Sequence, residues 1–228
     1  MPISQKQTDL FKAVAAKAGL KQEIYSTTLK VFSEFKKAAE TIASGYHQTI
    51  KQTKYPILFE YKEHGQFEFE LSFGSDLLIF FMHSNVFEIP RDHEIMRLPY
   101  IKGDKARSYC GIIHIFNFLN DSFRYHRLND VGYLIGRVFV NRENHYFIEG
   151  KREIGLLFNN FPDSELKTEA IENIIESAIL YTINFDLLTP PYDNMKEVNV
   201  EEMLTVRDNM QIRTGKRLGF RFQADKNE

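Results

Sequence analysis

A strict alternation of apolar and polar residues over positions 66–73 constrains this chain more than any other feature. The apolar members are Phe67, Phe69, Leu71 and Phe73, and the polar members are Gln66, Glu68, Glu70 and Ser72. Successive side chains of a strand point to opposite faces of its sheet, so this period of two predicts a strand with one dry and one wet face. A helix would need apolar residues at three- and four-residue steps.

Further strands are predicted on both sides of this run, and together they form an antiparallel meander. Residues 57–62 precede it across the turn Glu63-His64-Gly65. The apolar run 77–82 follows it and predicts a central strand that is covered on both faces. Four later runs, 111–119, 122–127, 132–141 and 145–149, are predicted as strands as well. The 20 Phe and 11 Tyr favour this interpretation, because aromatic residues suit a pleated, half-buried surface.

Helical periodicity flanks these strands. The first quarter of the chain predicts two helices that are separated at Gly19. An apolar stripe from Leu166 to Ile179 predicts a third helix, residues 201–208 a short fourth one, and residues 218–222 a last strand. The order of elements predicts an α+β fold, with a mostly antiparallel sheet of about six strands and helices from the N-terminal and C-terminal thirds packed against it. An N-terminal helical segment, 1–55, and a sheet domain, 56–228, are expected to form one structural unit.

Composition excludes several classes of protein. The net charge of −2 gives no overall attraction to nucleic acid or to an anionic membrane. Cys110 is the single cysteine, so neither an internal disulfide nor a cysteine metal box is possible. The common phosphate-loop, zinc-protease and hydrolase motifs are absent from the sequence. We expect a cytoplasmic protein that holds no cofactor and no metal and does not enter a membrane.

A carboxylate and a lysine near a strand end form the most suggestive catalytic pattern. Glu149 and Lys151 lie two residues apart, so both side chains point to one face of the strand. Metal-dependent nucleases with a (D/E)xK strand use this geometry, in which the carboxylate holds the metal and the lysine orients the attacking water. Asp130 is the candidate for the second acid. The alternative is a solvated strand end that leads into a turn.

The long connection over residues 90–108 is rich in basic residues and is predicted to be irregular. Its cations are Arg91, Arg97, Lys102, Lys105 and Arg107. A second basic cluster follows position 206, and arginine forks fit phosphate oxygens well. The loop therefore predicts binding of a phosphate-containing ligand, and a solubilising surface is the alternative.

Two polar side chains occur among apolar residues in the predicted strands. His114 shares a strand face with Ile112, Phe116 and Phe118, so it needs a hydrogen-bond partner or contacts a ligand. Arg137 lies among Tyr133, Ile135 and Phe139, and a cation there needs a partner. Glu68 or Glu70 on a neighbouring strand is the expected partner of Arg137.

Three functional interpretations follow. The favoured one is a non-catalytic ligand-binding or protein-interaction module, with the five basic loop residues and His114 as contacts. The second is a metal-dependent nuclease or phosphodiesterase that uses Asp130, Glu149 and Lys151. The third is a structural subunit of a larger assembly, since the apolar stripe of the N-terminal helix could bind a protein partner, a second copy or its own sheet.

Overall fold

An antiparallel sheet dominates the computed structural model, which describes residues 4–50, 54–151, 154, 160–189, 192–194, 197, 199–201 and 215–216. Its seven strands are β1 (Phe59–Glu63), β2 (Glu68–Phe73), β3 (Asp76–Met82), β4 (Phe87–Glu88), β5 (Tyr109–Leu119), β6 (Tyr133–Val140) and β7 (Tyr146–Gly150). They are arranged in the order β1-β2-β3-β5-β6-β7, and β4 pairs with the first residues of β5. All these pairings are antiparallel, which confirms the predicted α+β fold.

The N-terminal helix α1 is one continuous helix from Gln5 to Thr49. The prediction of two helices separated at Gly19 is therefore wrong. A glycine costs a helix only about 1 kcal/mol relative to alanine, and the residues on both sides of it have good helical periodicity. A capping box starts the helix, in which Ser4 and Gln7 each bond the other's backbone N–H. At 45 residues, α1 is about 67 Å long.

One face of the sheet is covered by α1 and by α4 (Thr168–Ile183), and we call it the helix-covered face. The stripe of α1 from Val31 to Ala43 packs here, which places the apolar residues of its second half on the chain's own sheet. The sheet contributes buried side chains to this face, among them Phe69, Leu71, Leu78, Phe80, Ile113, Ile115, Val138 and Ile148. The helix crosses the sheet closely at Gly111, beside Thr28.

Of the described residues, those of the connection between β4 and β5 cover one end of the other face. The prediction that this connection is irregular is wrong, because it folds into two 3₁₀ turns, Glu94–Arg97 and Lys105–Ser108, and the short helix α2 (Pro99–Gly103) between them. Ile89, Ile95 and Ile101 of this segment pack on sheet residues and form a second core. The sheet and C-terminal members of that core are Cys110, Ile112, Phe139, Phe147 and Phe161.

The predicted strand over 122–127 is also wrong, because the short helix α3 (Asn120–Arg124) takes its place. Asn, Asp and Ser begin this stretch, and such side chains bond nearby backbone and favour turns over strands. The predicted helix over 201–208, apart from its first residue, and the predicted strand over 218–222 lie outside the described residues. A separate two-stranded pair joins β8 (Leu187–Leu188) to β9 (Gly215–Lys216). No described helix is both long and apolar enough to cross a membrane.

The contact between α1 and β5 predicts that position 111 requires glycine. A methyl group at Gly111 would lie 2.1 Å from Oγ1 of Thr28, so the helix or the strand would have to shift. We expect Gly111→Ala to lower the free energy of unfolding by about 1–3 kcal/mol, measured by urea denaturation. Gly136→Ala is the matched control, because its nearest neighbour would be 3.6 Å away at Ile154. Equal stability of the two variants would contradict the close crossing.

Candidate binding surface on the open face of the sheet

The second face of the sheet is open to solvent away from the β4–β5 connection. We call this region the open face, and it consists of Ile79, Phe81, His114, Phe116, Phe118, Leu134 and Arg137. Ile79 and Phe81 are partly exposed here. The strand over 77–82 was predicted to be covered on both faces. It is fully covered on the helix-covered face and only partly covered on the open face.

An aromatic stripe runs along β5 on the open face. His114 stacks on Phe116 with ring centroids 5.7 Å apart, and Phe118 follows at 6.5 Å from Phe116. The ring of Phe123, from α3, extends the stripe at 5.2 Å from Phe118. Gly132 leaves room for the Phe118 ring, since a Cβ there would lie 2.1 Å from it. Side chains two apart on a strand share a face, and for that reason these rings form one surface.

The end of this stripe exposes apolar side chains to water. Leu134 is 40% exposed and Phe123 is 49% exposed. Leu128 and Val131, in the connection between α3 and β6, are exposed to an even greater extent. A contiguous exposed apolar patch on a folded protein commonly marks an interaction surface.

A row of side chains crosses the open face perpendicular to the strands. Phe81, His114 and Arg137 lie side by side on β3, β5 and β6, and Glu149 on β7 follows Arg137. The guanidinium of Arg137 donates to Glu149, whose other carboxylate oxygen lies 2.8 Å from Nε2 of His93. The row therefore joins the open face to the β4–β5 connection, which carries His93.

A β-bulge in β6 gives Arg137 different neighbours from those that the sequence predicted. Ile115 pairs with Gly136 while Phe116 pairs with Leu134, so β6 contains one extra residue at this point. Tyr133 and Ile135 consequently pack in the helix-covered core, away from Arg137.

The partner predicted for Arg137 was also wrong. Glu149 pairs with it, whereas Glu70 lies on the same face but on β2, near Lys62 and His64, with β3 and β5 between it and Arg137. This second error comes from the strand order, which places β5 and β7, and not β2, beside β6.

His114 is the half-buried polar side chain at the centre of the open face. Its Nδ1 is buried and has no hydrogen-bond partner within the part of the chain that the structure describes. Burial lowers the pKa of His114, and the nearby Arg137 and His83 lower it further. The imidazole is thus neutral at pH 7 and offers a polar atom that a ligand could satisfy.

The three residues of the nuclease interpretation are engaged separately. Asp130 accepts a hydrogen bond of 2.6 Å from Oγ of Ser122 and pairs with Arg127 at 3.1 Å. Glu149 binds Arg137 and His93, as described above, and the backbone N–H of Lys151 donates to Ile135. Within the described residues, no contact joins Asp130 to Glu149, and no three His, Cys, Asp or Glu side chains could share a metal ion. The nuclease interpretation remains a prediction that these contacts do not favour.

The five basic residues of the β4–β5 connection divide into two groups. Arg107 donates through Nε to Glu143 at 3.0 Å and lies over the ring of Tyr100 at 4.3 Å. Tyr100 donates to the same carboxylate at 2.8 Å, and burial together with Glu143 raises its pKa to about 12 despite the opposing bond from Asn141. Arg107 is therefore held within the fold, whereas the other four basic residues, Arg91, Arg97, Lys102 and Lys105, are exposed. Phosphate binding by this segment remains a prediction.

The sequence predicted the residues in the middle of the open face but not those at its end. His114, Phe116 and Phe118 were grouped correctly on one strand face, because β5 is regular there. Phe123 was missed because residues 122–127 were interpreted as a strand. Leu134 was missed because the bulge reverses the faces of β6, and no sequence signal except the nearby Gly132 and Gly136 marks it.

A second exposed apolar surface lies at the start of α1, and we call residues 5–16 the overhang. Lys17 is tied to the sheet, since its ammonium lies 3.8 Å from the centre of the Tyr109 ring. In the overhang, Leu10, Phe11 and Val14 are 57%, 55% and 57% exposed. Their spacing places them along one side of the helix.

The environment of His114 predicts a pH-dependent stability. Since its pKa in the folded protein is lower than in the unfolded chain, the unfolded chain binds a proton first as the pH falls below about 6.5. Stability is therefore unaffected above that pH and is lost as the pH falls toward the lowered pKa of the folded state. We expect His114→Gln to lose less stability than the wild type between about pH 7.5 and about pH 5.

Urea denaturation of both proteins at the two pH values measures this difference. The control is His126→Asn in the exposed connection after α3, where asparagine tolerates the positive φ of 51°. An unchanged pH dependence in His114→Gln would contradict the assigned environment.

Comparison with known proteins gave no relative: no family model, no curated protein and no solved structure matches this chain.

Proposed function

We propose that this chain is a non-catalytic protein-interaction module that binds an apolar segment of a partner protein, flanked by acidic residues, on the open face. The observation that carries the proposal is the aromatic stripe from His114 to Phe123, which ends in the exposed side chains of Phe123 and Leu134. Removal of such an apolar surface from water by a partner lowers the free energy and therefore favours binding.

The composition of the open face suits a protein partner. Aromatic residues and arginine supply much of the binding free energy at protein interfaces, and both are present here as Phe81, Phe116, Phe118 and Arg137. The Nδ1 of His114, which has no hydrogen-bond partner among the described residues, gives the partner one hydrogen bond to make beside the phenylalanine rings. That bond would fix the register of the bound segment.

Charge at the edge of the open face supports acidic flanks on the partner. The row from His114 through Arg137 and Glu149 to His93 connects the open face to the β4–β5 connection. That connection exposes Arg91, Arg97, Lys102 and Lys105 to solvent. Carboxylates of a segment lying on the open face would meet these cations, which attract it over a distance and select against basic partners.

A peptide library of random 16-residue sequences, displayed on phage, tests this function. We expect peptides that bind the wild type to combine aromatic or aliphatic residues with Asp or Glu. The double variant Phe123→Asp/Leu134→Asp should bind the enriched peptides at least about tenfold more weakly, because two carboxylates replace the exposed end of the stripe. Fluorescence anisotropy of the labelled peptides measures the loss.

Leu180→Asp is the matched control, since Leu180 is an exposed leucine on α4, away from the open face. In a second arm of the experiment, the variant Arg91→Glu/Arg97→Glu should bind the acidic peptides more weakly than the wild type does and should bind uncharged peptides equally well. Equal binding by the wild type and the Phe123→Asp/Leu134→Asp variant, or enrichment of no peptide, would rule out the open face as a binding surface.

The overhang supports a second candidate, in which the chain is a structural subunit of a larger assembly. Helices in proteins are stabilised mostly by the packing of an apolar face, and the described residues leave the apolar side of the overhang exposed. The exposed Leu10, Phe11 and Val14 give another helix an apolar strip to pack against.

Sedimentation velocity tests the second candidate. Under this interpretation the wild type forms particles larger than a monomer, and Phe11→Glu/Val14→Glu returns it to a monomer without a change in its circular dichroism spectrum. A wild type whose sedimentation is unaffected by these substitutions would rule out assembly through the overhang.

A further inference from the structure

The edge strand β1 has main-chain groups that face away from the sheet. His64 donates its N–H to Glu68 at 3.0 Å, and Gly74 donates to Leu58 at 3.1 Å. Hydrogen bonds alternate along an antiparallel strand, so the even-numbered residues of β1 bond to β2 and the odd-numbered ones point outward. The N–H and C=O groups of Tyr61 and Glu63 therefore lie along the free edge.

The two edges of the sheet differ in how they are protected. The outer edge of β7 is bonded where the strand begins, since Tyr146 donates to Ser164 at 3.0 Å and His145 forms a β-bridge with Glu165. At the outer edge of β1, only the carbonyl of Phe59 has a hydrogen-bond partner among the described residues, Nε2 of His47 at 2.7 Å. A sheet edge with free main-chain groups is a template for another strand.

The charges on β1 are complementary to themselves under a two-fold rotation. Glu60 and Lys62 are both exposed and point to the same side of the sheet, because they lie two residues apart. In an antiparallel pair of two β1 strands centred on Tyr61, Glu60 lies opposite Lys62 of the second copy, and Lys62 lies opposite its Glu60. Opposite charges in this position stabilise an antiparallel pair, and like charges destabilise it.

We propose that the protein forms a two-fold dimer in which β1 pairs antiparallel with β1 of a second copy, centred on Tyr61. The Tyr61 residues of the two copies then exchange both main-chain hydrogen bonds. Glu63 of each copy lies opposite Phe59 of the other, whose N–H is available. The two sheets become one continuous sheet across the dimer, with an isologous interface.

A groove beside the edge accommodates the side chains that this pairing brings in. It has a volume of about 390 Å³ and lies between α1 and the β1–β2 hairpin, with Leu29, Phe32 and Tyr61 among its lining residues. Directly opposed residues of an antiparallel pair point to the same face, so Tyr61 of the second copy lies on the groove side of the sheet. Lys36, which bonds both Glu63 and the carbonyl of Gly65, closes the groove at the hairpin end.

A second copy fits this edge better than an unrelated extended peptide does. Any peptide could use the free main-chain groups. The charges of β1, however, favour an antiparallel strand that carries a basic residue opposite Glu60 and an acidic residue opposite Lys62. An antiparallel copy of β1 presents these charges without further sequence requirements. The interface is short, and we therefore expect a weak dimer that dissociates on dilution, with a dissociation constant between about 1 μM and about 1 mM.

Charge exchange at two positions tests this dimer. Glu60→Lys places Lys opposite Lys62 of the second copy at both ends of the pair, and Lys62→Glu places Glu opposite Glu60 in the same way. We expect each variant alone to be monomeric in sedimentation equilibrium. An equimolar mixture of the two should form a heterodimer, because every charge then meets its opposite, and the double variant Glu60→Lys/Lys62→Glu should dimerise like the wild type.

Urea denaturation checks that each variant is folded, and the restored dimers in the mixture and the double variant exclude unfolding as the cause of the loss. Phe11→Glu/Val14→Glu in the overhang is the control and should leave the dimer intact. A wild type that stays monomeric up to about 1 mM overturns the proposal. So does a dimer that survives in both single variants, or one that is lost only through the overhang.

Discussion

The rest of the structure depends on the packing of α1 across one face of the sheet. Phe32 and Phe35 of the helix are fully buried and meet Phe69 and Phe80 of the sheet, with ring centroids 5.4 and 6.2 Å apart. Burying each such ring contributes about 2–3 kcal/mol. One long helix and α4 cover this face, whereas the other face is covered, among the described residues, by the short turns of the β4–β5 connection and by Phe161. The open face is the consequence of this unequal cover.

The elements with a clear period could be predicted from the sequence, and those that depend on one residue could not. The alternation around Phe69 identified β2 because apolar side chains two apart must share a face. In contrast, Gly19 suggested a helix end, yet its cost is small compared with the packing of the residues beyond it. The bulge at Ile135 adds a single residue to β6 and reverses which side chains point to solvent. No count of hydrophobic residues distinguishes those two arrangements.

The candidate site was predictable only in part for a related reason. A strand face that carries His114 and two phenylalanines can be identified from spacing, but whether another element covers it depends on long-range packing. His114 was expected to have a hydrogen-bond partner or to contact a ligand, and its Nδ1 has no partner among the described residues. Arg107 was expected to contact a ligand, and nothing in the sequence indicated that its guanidinium also bonds Glu143 and lies over Tyr100. Both outcomes depend on how residues far apart in the sequence are packed together.

The open face and the free edge of β1 are physically connected. Lys62 points to the same side of the sheet as Ile79 and Phe116, since β1, β2, β3 and β5 pair in register across that row. Joining two copies at β1 would therefore place two open faces on one side of one continuous sheet. A partner with two apolar segments could then bind both, and the second contact would form at the high effective concentration that the first one creates. Modest affinity at each face would be sufficient for stable binding, provided that the linker between the two segments spans the β1–β1 junction.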